Sequence, residues 1–385
     1  MALENPNLLN LLLAYSASHR ARLLSHPEPA NRIAHWVQDV FPSLRHALDD
    51  LSNTEISNAN LATAIMLTSL EIISPSTFGI SIPWQQHLSI ARSIIKARAG
   101  GPKTISRKDR VTYFLTRWLV YLDVLGSLSG RINEEPLFGG NYWRRSSTAA
   151  PLPPEQTAAW GTDDEADYTI DCLLGFTTRC VSILARIASI ARDCDWARID
   201  PETGKARPGW QPAKDILDEA NEIRRDLENA RVHPHTKCPH HSSDSSDSEN
   251  GDEQYRRARA LHREETDIGL SATNSAFHWA GLIHLLRRIH NLPRTAPEVQ
   301  HAVREIVNGL DQVPMGGSAE ACLLFPMFTA GVEAADEETR QIVLTRVKAV
   351  EEVGMCQVAR ARRIMEEVWR TGKEWEGLVK GEFFG

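Results

Sequence analysis

No stretch of this chain is apolar for the roughly 20 consecutive residues that a helix needs to cross a bilayer. The apolar run nearest the N-terminus covers only residues 8–15, and the acidic Glu4 precedes it without any basic residue. A secretory signal peptide would begin with positive charge. We therefore predict that residues 8–15 belong to a core helix and that the protein has no membrane partner.

The sequence also lacks an excess of positive charge, since it contains 43 Lys and Arg residues and 50 Asp and Glu residues, and the formal net charge is −7. A protein that wraps nucleic acid by itself needs a basic surface to displace counterions. We therefore expect any contact with DNA to be made by a segment that this sequence does not contain.

Closely spaced cysteines are missing as well, because no two of the six lie within three residues of each other. They are Cys172, Cys180, Cys194, Cys238, Cys322 and Cys356. A zinc binuclear cluster needs six cysteines, including Cys-x-x-Cys pairs, in one short basic segment. Scattered cysteines are typical of reduced thiols in an intracellular protein, and we expect no zinc cluster in this chain.

What the sequence does contain is a succession of helical patterns. Apolar residues recur every three or four positions, as at Ile33, Val37, Val40 and Leu44. Pro6, Ser57 and Pro83 stand where helices should begin, and Pro42 and Pro326 where they should kink or break. Later helices are predicted over residues 162–194, 212–232, 254–291, 297–310, 319–334, 336–353 and 357–371. No alternating strand pattern occurs, so we predict an all-α fold, a large multi-helix domain of antiparallel helical hairpins.

Two segments interrupt this pattern. Residues 131–161 form a long connection without periodicity. Residues 233–253 are rich in Ser, Asp and His, and we predict a disordered insertion because such a composition cannot bury enough apolar surface to offset its ordering entropy. The insertion would divide one helical domain into an N-terminal part, residues 1–232, and a C-terminal part, residues 254–385.

The chemical motifs are few. Asp163, Asp164 and Asp167 have the Asp-Asp-x-x-Asp spacing with which all-α isoprenoid synthases hold magnesium ions and a diphosphate, and this enzyme is the alternative to a regulatory function. However, Thr162 and Glu165 form a capping box that explains the carboxylates as a helix start. A second metal-binding motif is missing, so we assign no catalytic residue and predict that the chain is not an enzyme.

Three further groups of residues have a functional and a structural interpretation. His233, His235, Cys238, His240 and His241 are of types that bind zinc, but their spacing fits no familiar closed site, and we assign no metal site. Five tryptophans could line a ligand cavity, although aromatic residues at helical spacing more often form plain core. They are Trp36, Trp84, Trp118, Trp279 and Trp369. The basic groups at residues 256–259 and at Arg287 and Arg288 could be nuclear-import or partner surfaces, but solvated helix faces are favoured. The cofactor site stays unknown.

Six stretches carry a resemblance to a known family: residues 7–19, 61–74, 114–130, 171–192, 274–293 and 323–369. In the last, residues 325–334 read Phe-Pro-Met-Phe-Thr-Ala-Gly-Val-Glu-Ala, an apolar helix that should be buried on nearly every side, and an amphipathic helix follows. Together the six stretches resemble the fungal-specific transcription factor domain, the helical regulatory region of zinc binuclear cluster regulators.

The resemblance implies a nuclear protein that regulates transcription by RNA polymerase II. Its expected partners are the transcription machinery or regulatory proteins, with DNA reached only through an N-terminal zinc cluster module that this sequence lacks. It implies no cofactor in this chain, since zinc would belong to that module. A small-molecule effector and a homodimer stay open.

Overall fold

The structure is a computed structural model that describes residues 2–49, 57–75, 82–97, 109–130, 137–138, 168–171, 173–237, 253–316 and 318–385. Within these residues the chain is helical almost throughout, which confirms the all-α prediction. The strands among them are two residues long, Thr169–Ile170 and Thr236–Lys237, and they pair in parallel. No helix in the described ranges is long and apolar enough to cross a membrane.

Six helices of the described residues lie before the long connection at residues 131–161. Their bounds are α1 Pro6–Leu23, α2 Ala30–Val37, α3 Val40–Asp49, α4 Asn58–Ile73, α5 Trp84–Ala97 and α6 Arg110–Ser129. Side chains cap three of these helices, because Asn5, Ser57 and Asp109 each accept a hydrogen bond from a backbone N–H in the first turn. The starts predicted at Pro6 and Ser57 are confirmed.

The later helices are α7 Thr178–Arg198, α8 Lys214–Val232, α9 Glu253–His284, α10 Pro297–Leu310, α11 Leu324–Glu333, α12 Glu337–Glu351 and α13 Cys356–Thr371. A π-helical turn, Leu285–Ile289, prolongs α9. Short helical turns occur at Ala2–Glu4, Ser318–Ala321 and Trp375–Gly377. Consecutive helices pack on one another in the pairs α1–α2, α4–α5, α9–α10 and α12–α13, as expected for helical hairpins.

Pro42 and Pro326 occupy the third position of α3 and of α11. N–H groups of a first turn have no partner within the helix, so a proline costs little there. The predicted breaks therefore occur, but each lies just before its proline, between α2 and α3 and between Ala321 and Leu324.

The helix predicted from residue 162 is wrong in its described part before Thr178, since residues 168–171 and 173–177 form a strand and a turn. Asp171 accepts hydrogen bonds from the backbone N–H groups of Leu173 and Leu174. Gly175 adopts φ +79°, which favours glycine. Thr177 then caps α7. The aspartate thus gives the backbone a local alternative to the helix.

Residues 233–237 are part of the folded domain, although we predicted from the sequence that they belong to the disordered insertion. Thr236 donates its backbone N–H to the Tyr168 carbonyl, and the His233 ring stacks on Tyr168 with 3.6 Å between centroids. Glu253, the last residue of the predicted insertion, begins α9. Residues 238–252 lie outside the described residues, and the disorder there stays a prediction.

The core consists of two clusters of buried apolar side chains. The larger extends from α1 to α11 and includes Phe383 near the C-terminus, and the smaller joins α9 to α13 and other C-terminal residues. Helix α11 lies between them: all of its residues are buried, Phe325 in the larger cluster and Phe328 in the smaller. Helix α12 buries one stripe, Val343, Val347 and Val350. The expected pairing of a buried helix with an amphipathic one is therefore observed.

Candidate functional site: a buried charge cluster

Seven charged side chains meet between the two apolar clusters, and we call them the buried charge cluster. Its members are Asp195, Arg198, Arg287, Arg288, Glu333, Glu374 and Glu376. They come from the last turn of α7, the π turn, the end of α11 and the segment after α13. The cluster thus joins four elements that are distant in the sequence.

Arg287 connects the π turn to α11 and to the C-terminal segment. Its Nε lies 2.7 Å from a Glu333 carboxylate oxygen, and its Nη2 lies 2.7 Å from Glu374. Its Nη1 also donates to the Leu292 carbonyl. Arg294 Nε lies 3.4 Å from the same Glu333 oxygen, so with Arg294 four guanidinium groups contact four carboxylates.

Arg288 points to α7 instead. Its Nε and Nη2 donate to one oxygen of Asp195 at 3.0 and 2.6 Å. Its Nη1 donates to the Leu128 carbonyl at the end of α6, at 3.0 Å. The guanidinium also lies over the Trp375 ring, 5.3 Å from its centroid.

Arg198 completes the cluster and is fully buried, with 0% of its surface exposed. Its Nη2 lies 2.7 Å from Glu376 and 3.3 Å from Asp195. Two arginines, Arg198 and Arg288, therefore share Asp195, and the α7 terminus is held to the π turn and to the C-terminal segment at once.

The pKa values follow from burial and from these partners. Burial raises the pKa of Asp195 and of Glu374 above the ordinary values. Burial also acts to raise the pKa of Glu376, but Arg198 and Arg288 outweigh it and hold that pKa below its ordinary value. Burial lowers the pKa of Arg198, yet the carboxylates of Glu376 and Asp195 more than compensate and raise it.

His284 forms the apolar edge of the cluster. Burial and the nearby Arg288 lower its pKa well below the ordinary value, so the imidazole is neutral. Arg288 can only donate, which makes Nδ1 of His284 the acceptor of their 3.1 Å hydrogen bond. The ring proton then sits on Nε2, which donates to Thr329 Oγ1 at 3.1 Å. The same ring stacks on Phe325 with 5.2 Å between centroids.

The sequence prediction for Arg287 and Arg288 is wrong: they are 5% and 3% exposed and form no solvated face. The sequence contains one indication that the pair is buried. Apolar residues surround it on more than one side of a helix, at Ile283, Leu285, Leu286 and Ile289. Glu333, Glu374 and Glu376 were missed altogether. Side chains 256–259 lie outside the described residues.

The other candidates do not converge on one site. Asp163, Asp164 and Asp167 lie outside the described residues, as do Cys238, His240 and His241. His233 and His235 are exposed. Within the described ranges, no group of three or more His, Cys, Asp or Glu side chains is placed to hold a metal ion.

The five tryptophans lie at separate places in the core. Trp84 and Trp279 are buried in the larger cluster, and Trp36 and Trp118 pack against it. Trp369 packs against the smaller cluster and donates its Nε1–H to the Gly331 carbonyl at 2.8 Å. They therefore line no common cavity, and their packing is that of core residues.

Chemically, the buried charge cluster is suited to hold helices together. Its charged groups are paired with opposite charges and shielded from solvent, which makes their relative positions specific.

A family model described as the fungal specific transcription factor domain matches residues 1–375. No curated protein and no solved structure matches the chain.

Proposed function

Because the chain belongs to the family of fungal specific transcription factor domains, we propose that it is a regulatory domain that controls transcription by RNA polymerase II in the nucleus. The match over residues 1–375 is the observation that carries this proposal. The transcription machinery or other regulatory proteins would be its partners, and a zinc cluster module outside this sequence would contact DNA. Homodimerisation belongs to the same proposal.

The buried charge cluster offers a physical means of regulation. Its ion pairs join α7, the π turn, α11 and the C-terminal segment, so a displacement of one element would change the ion pairs of the others. A domain with two such arrangements would respond to any ligand or partner that prefers one of them. Regulation by a small molecule would act in this way.

The isoprenoid synthase alternative has no support, since neither the family nor the described residues supply a catalytic set. We propose no enzymatic role.

A reporter assay in a fungal host tests the proposal. The chain is fused to an unrelated DNA-binding domain whose sites precede a reporter gene, and transcription is compared with that of the DNA-binding domain alone. We expect a change in either direction, and we expect it to be lost in Arg288→Met but kept in Arg370→Gln, whose side chain lies on the surface. A fusion that is nuclear and abundant but leaves the reporter unchanged would refute the proposal.

A further inference from the structure

A cavity of about 440 Å³ opens between α4, α5, α13 and the last residues of the chain. We call residues 372–385 the C-terminal tail and this space the tail cavity. Its volume falls in the range of small-molecule sites, about 300–1,000 Å³. It is separate from the buried charge cluster, since none of the cluster's residues is among its lining residues.

Three basic side chains line the tail cavity: Arg360, Arg363 and Lys380. Other arginines of α13 are neutralised, because Arg362 pairs with Glu351 and Glu366, and Arg370 pairs with Glu367. Within the described part of the chain, the three cavity cations have no such ion pair. Unpaired cations that converge on one concave space favour an anionic ligand.

The start of α5 adds to this positive potential. Trp84 and Gln85 line the cavity and form the first turn of a 14-residue helix that has no acidic residue in that turn. A helix N-terminus carries a partial positive charge and is favourable for carboxylate or phosphate groups.

Two carboxylates also line the tail cavity. Glu382 accepts a hydrogen bond from the Lys380 backbone N–H at 2.5 Å, so its negative charge is partly compensated within the tail. Glu71, in α4, is 4% exposed and forms part of the wall. Because Glu71 is buried in that wall, the three basic side chains determine the class of ligand.

We propose that the tail cavity binds a small metabolite that carries a carboxylate or phosphate group. Arg360, Arg363 and Lys380 bind the anionic group.

Binding at this place would also fix the C-terminal tail. The Gly381 carbonyl accepts hydrogen bonds from Trp84 Nε1 at 2.7 Å and from Gln85 Nε2 at 3.2 Å. The next residues, Phe383 and Phe384, are buried, and the same tail carries Glu374 and Glu376 of the buried charge cluster. A ligand in the cavity therefore stabilises the segment that joins the helices, and its regulatory consequence rests on the proposed function.

Isothermal titration calorimetry on the purified chain tests the binding itself. The probes are citrate, glutamate and glucose 6-phosphate, each at constant ionic strength set with sodium chloride. We expect saturable binding of at least one probe with one site per chain. Binding of glucose 6-phosphate alone would identify a phosphate ligand, and binding of citrate or glutamate alone a carboxylate ligand.

Arg363→Gln and Arg370→Gln are a matched pair for this test, because both remove one charge from an exposed position of α13 and only Arg363 lines the cavity. We expect Arg363→Gln to weaken binding about tenfold, a loss of roughly 1.4 kcal/mol. Arg370→Gln should bind as the unchanged chain does. Lys380→Gln, in the exposed part of the tail, serves as a second cavity variant.

Absence of saturable binding for all three probes overturns the proposal, and so does equal weakening in Arg363→Gln and Arg370→Gln. Calorimetry measures no transcription, so a silent reporter with intact binding would refute only the proposed function. An active reporter without binding would refute only the cavity proposal.

Discussion

Arg288 donates hydrogen bonds to Asp195, to the Leu128 carbonyl and to His284 while only 3% of it is exposed. A charge in such surroundings stabilises the fold only as long as its partners remain. Removal of one partner leaves the other as an uncompensated buried charge, which is more costly than the absence of the pair.

We therefore expect Arg288→Met to lower the free energy of unfolding by about 3–5 kcal/mol, measured by urea denaturation. The double variant Arg288→Met with Asp195→Asn should lose less than the sum of the two single losses, because the second change removes the carboxylate that has lost one of its two arginine partners. Strict additivity would contradict the coupling of the two side chains.

His87 shows the opposite situation, a buried polar group without a partner. It is 2% exposed, and neither ring nitrogen has a hydrogen-bond partner among the described residues. Burial lowers its pKa to about 4. Between pH 6.5 and 4 the unfolded chain therefore binds a proton that the folded chain does not, and the stability of the fold decreases as the pH falls through this window.

We expect His87→Leu to raise the free energy of unfolding by about 1 kcal/mol at pH 7.5, since an unsatisfied polar group is removed. The gain should be larger at pH 5, because each pH unit below the unfolded pKa adds up to about 1.4 kcal/mol for one such histidine. Urea denaturation at the two pH values measures both effects. A gain that does not grow toward pH 5 would show that this imidazole does not titrate as described.

At the scale of elements, the contact of α11 with α12 and α13 depends on one glycine. A Cβ atom at Gly331 would lie 3.1 Å from Val343 and would overlap the sulfur of Met365. Trp369 also donates to the Gly331 carbonyl. Residues 325–334, which resemble the family, thus contain a glycine because two other helices approach the backbone at this position.

We expect Gly331→Ala to destabilise the fold by about 1–3 kcal/mol through overpacking. Gly309→Ala in α10 is the matched control, because an added Cβ there would lie 3.8 Å from the Ala272 carbonyl oxygen, its nearest neighbour outside the adjoining backbone of α10. Replacement of glycine in a helix with such space should stabilise by about 0.5–1 kcal/mol. Thermal unfolding followed by circular dichroism distinguishes the two, and equal shifts would contradict the packing argument.

The π turn at Leu285–Ile289 is the other element on which the candidate site depends. It carries Arg287 and Arg288 in adjacent positions, and their guanidinium groups reach different partners, Glu333 and Asp195. Such turns are frequent at functional sites.

For the whole molecule, the C-terminal tail joins the parts of the fold. It brings Trp375 and Phe384 into the smaller cluster, Phe383 into the larger one, and two carboxylates to the buried arginines. Arg22 of α1 likewise donates to the Gly354 carbonyl between α12 and α13, at 2.8 Å. The two ends of the sequence are therefore parts of one packed structure.

We expect removal of residues 372–385 to abolish cooperative unfolding. Each buried aromatic side chain contributes about 1.5–3 kcal/mol, and the loss of three of them with two buried charge partners would approach the 5–15 kcal/mol typical of total stability. Removal of residues 1–4 is the control, since the turn Ala2–Glu4 has no buried residue. A sharp thermal transition in the tail-truncated chain, near that of the control, would contradict this role.

Much of the fold could be predicted from the sequence because helices depend on local patterns. The bounds Pro297–Leu310, the start at Pro6 and the Ser57 cap follow from residues a few positions apart. The turn before α7 was missed because Asp171 bonds to its own local backbone, which apolar periodicity does not reveal. The family could also be recognised from the sequence, because the stretches that resemble it consist of residues that pack in the core.

Only the tertiary structure decided where the charges lie. Arg288 meets Asp195 across 93 residues of sequence, and Arg198 meets Glu376 across 178. Arg360 and Arg363 line a cavity that exists because the C-terminal tail packs against the start of α5. A local pattern gives the face of a helix on which a charge stands, but the element packed against that face determines whether it meets water, a partner or a binding site.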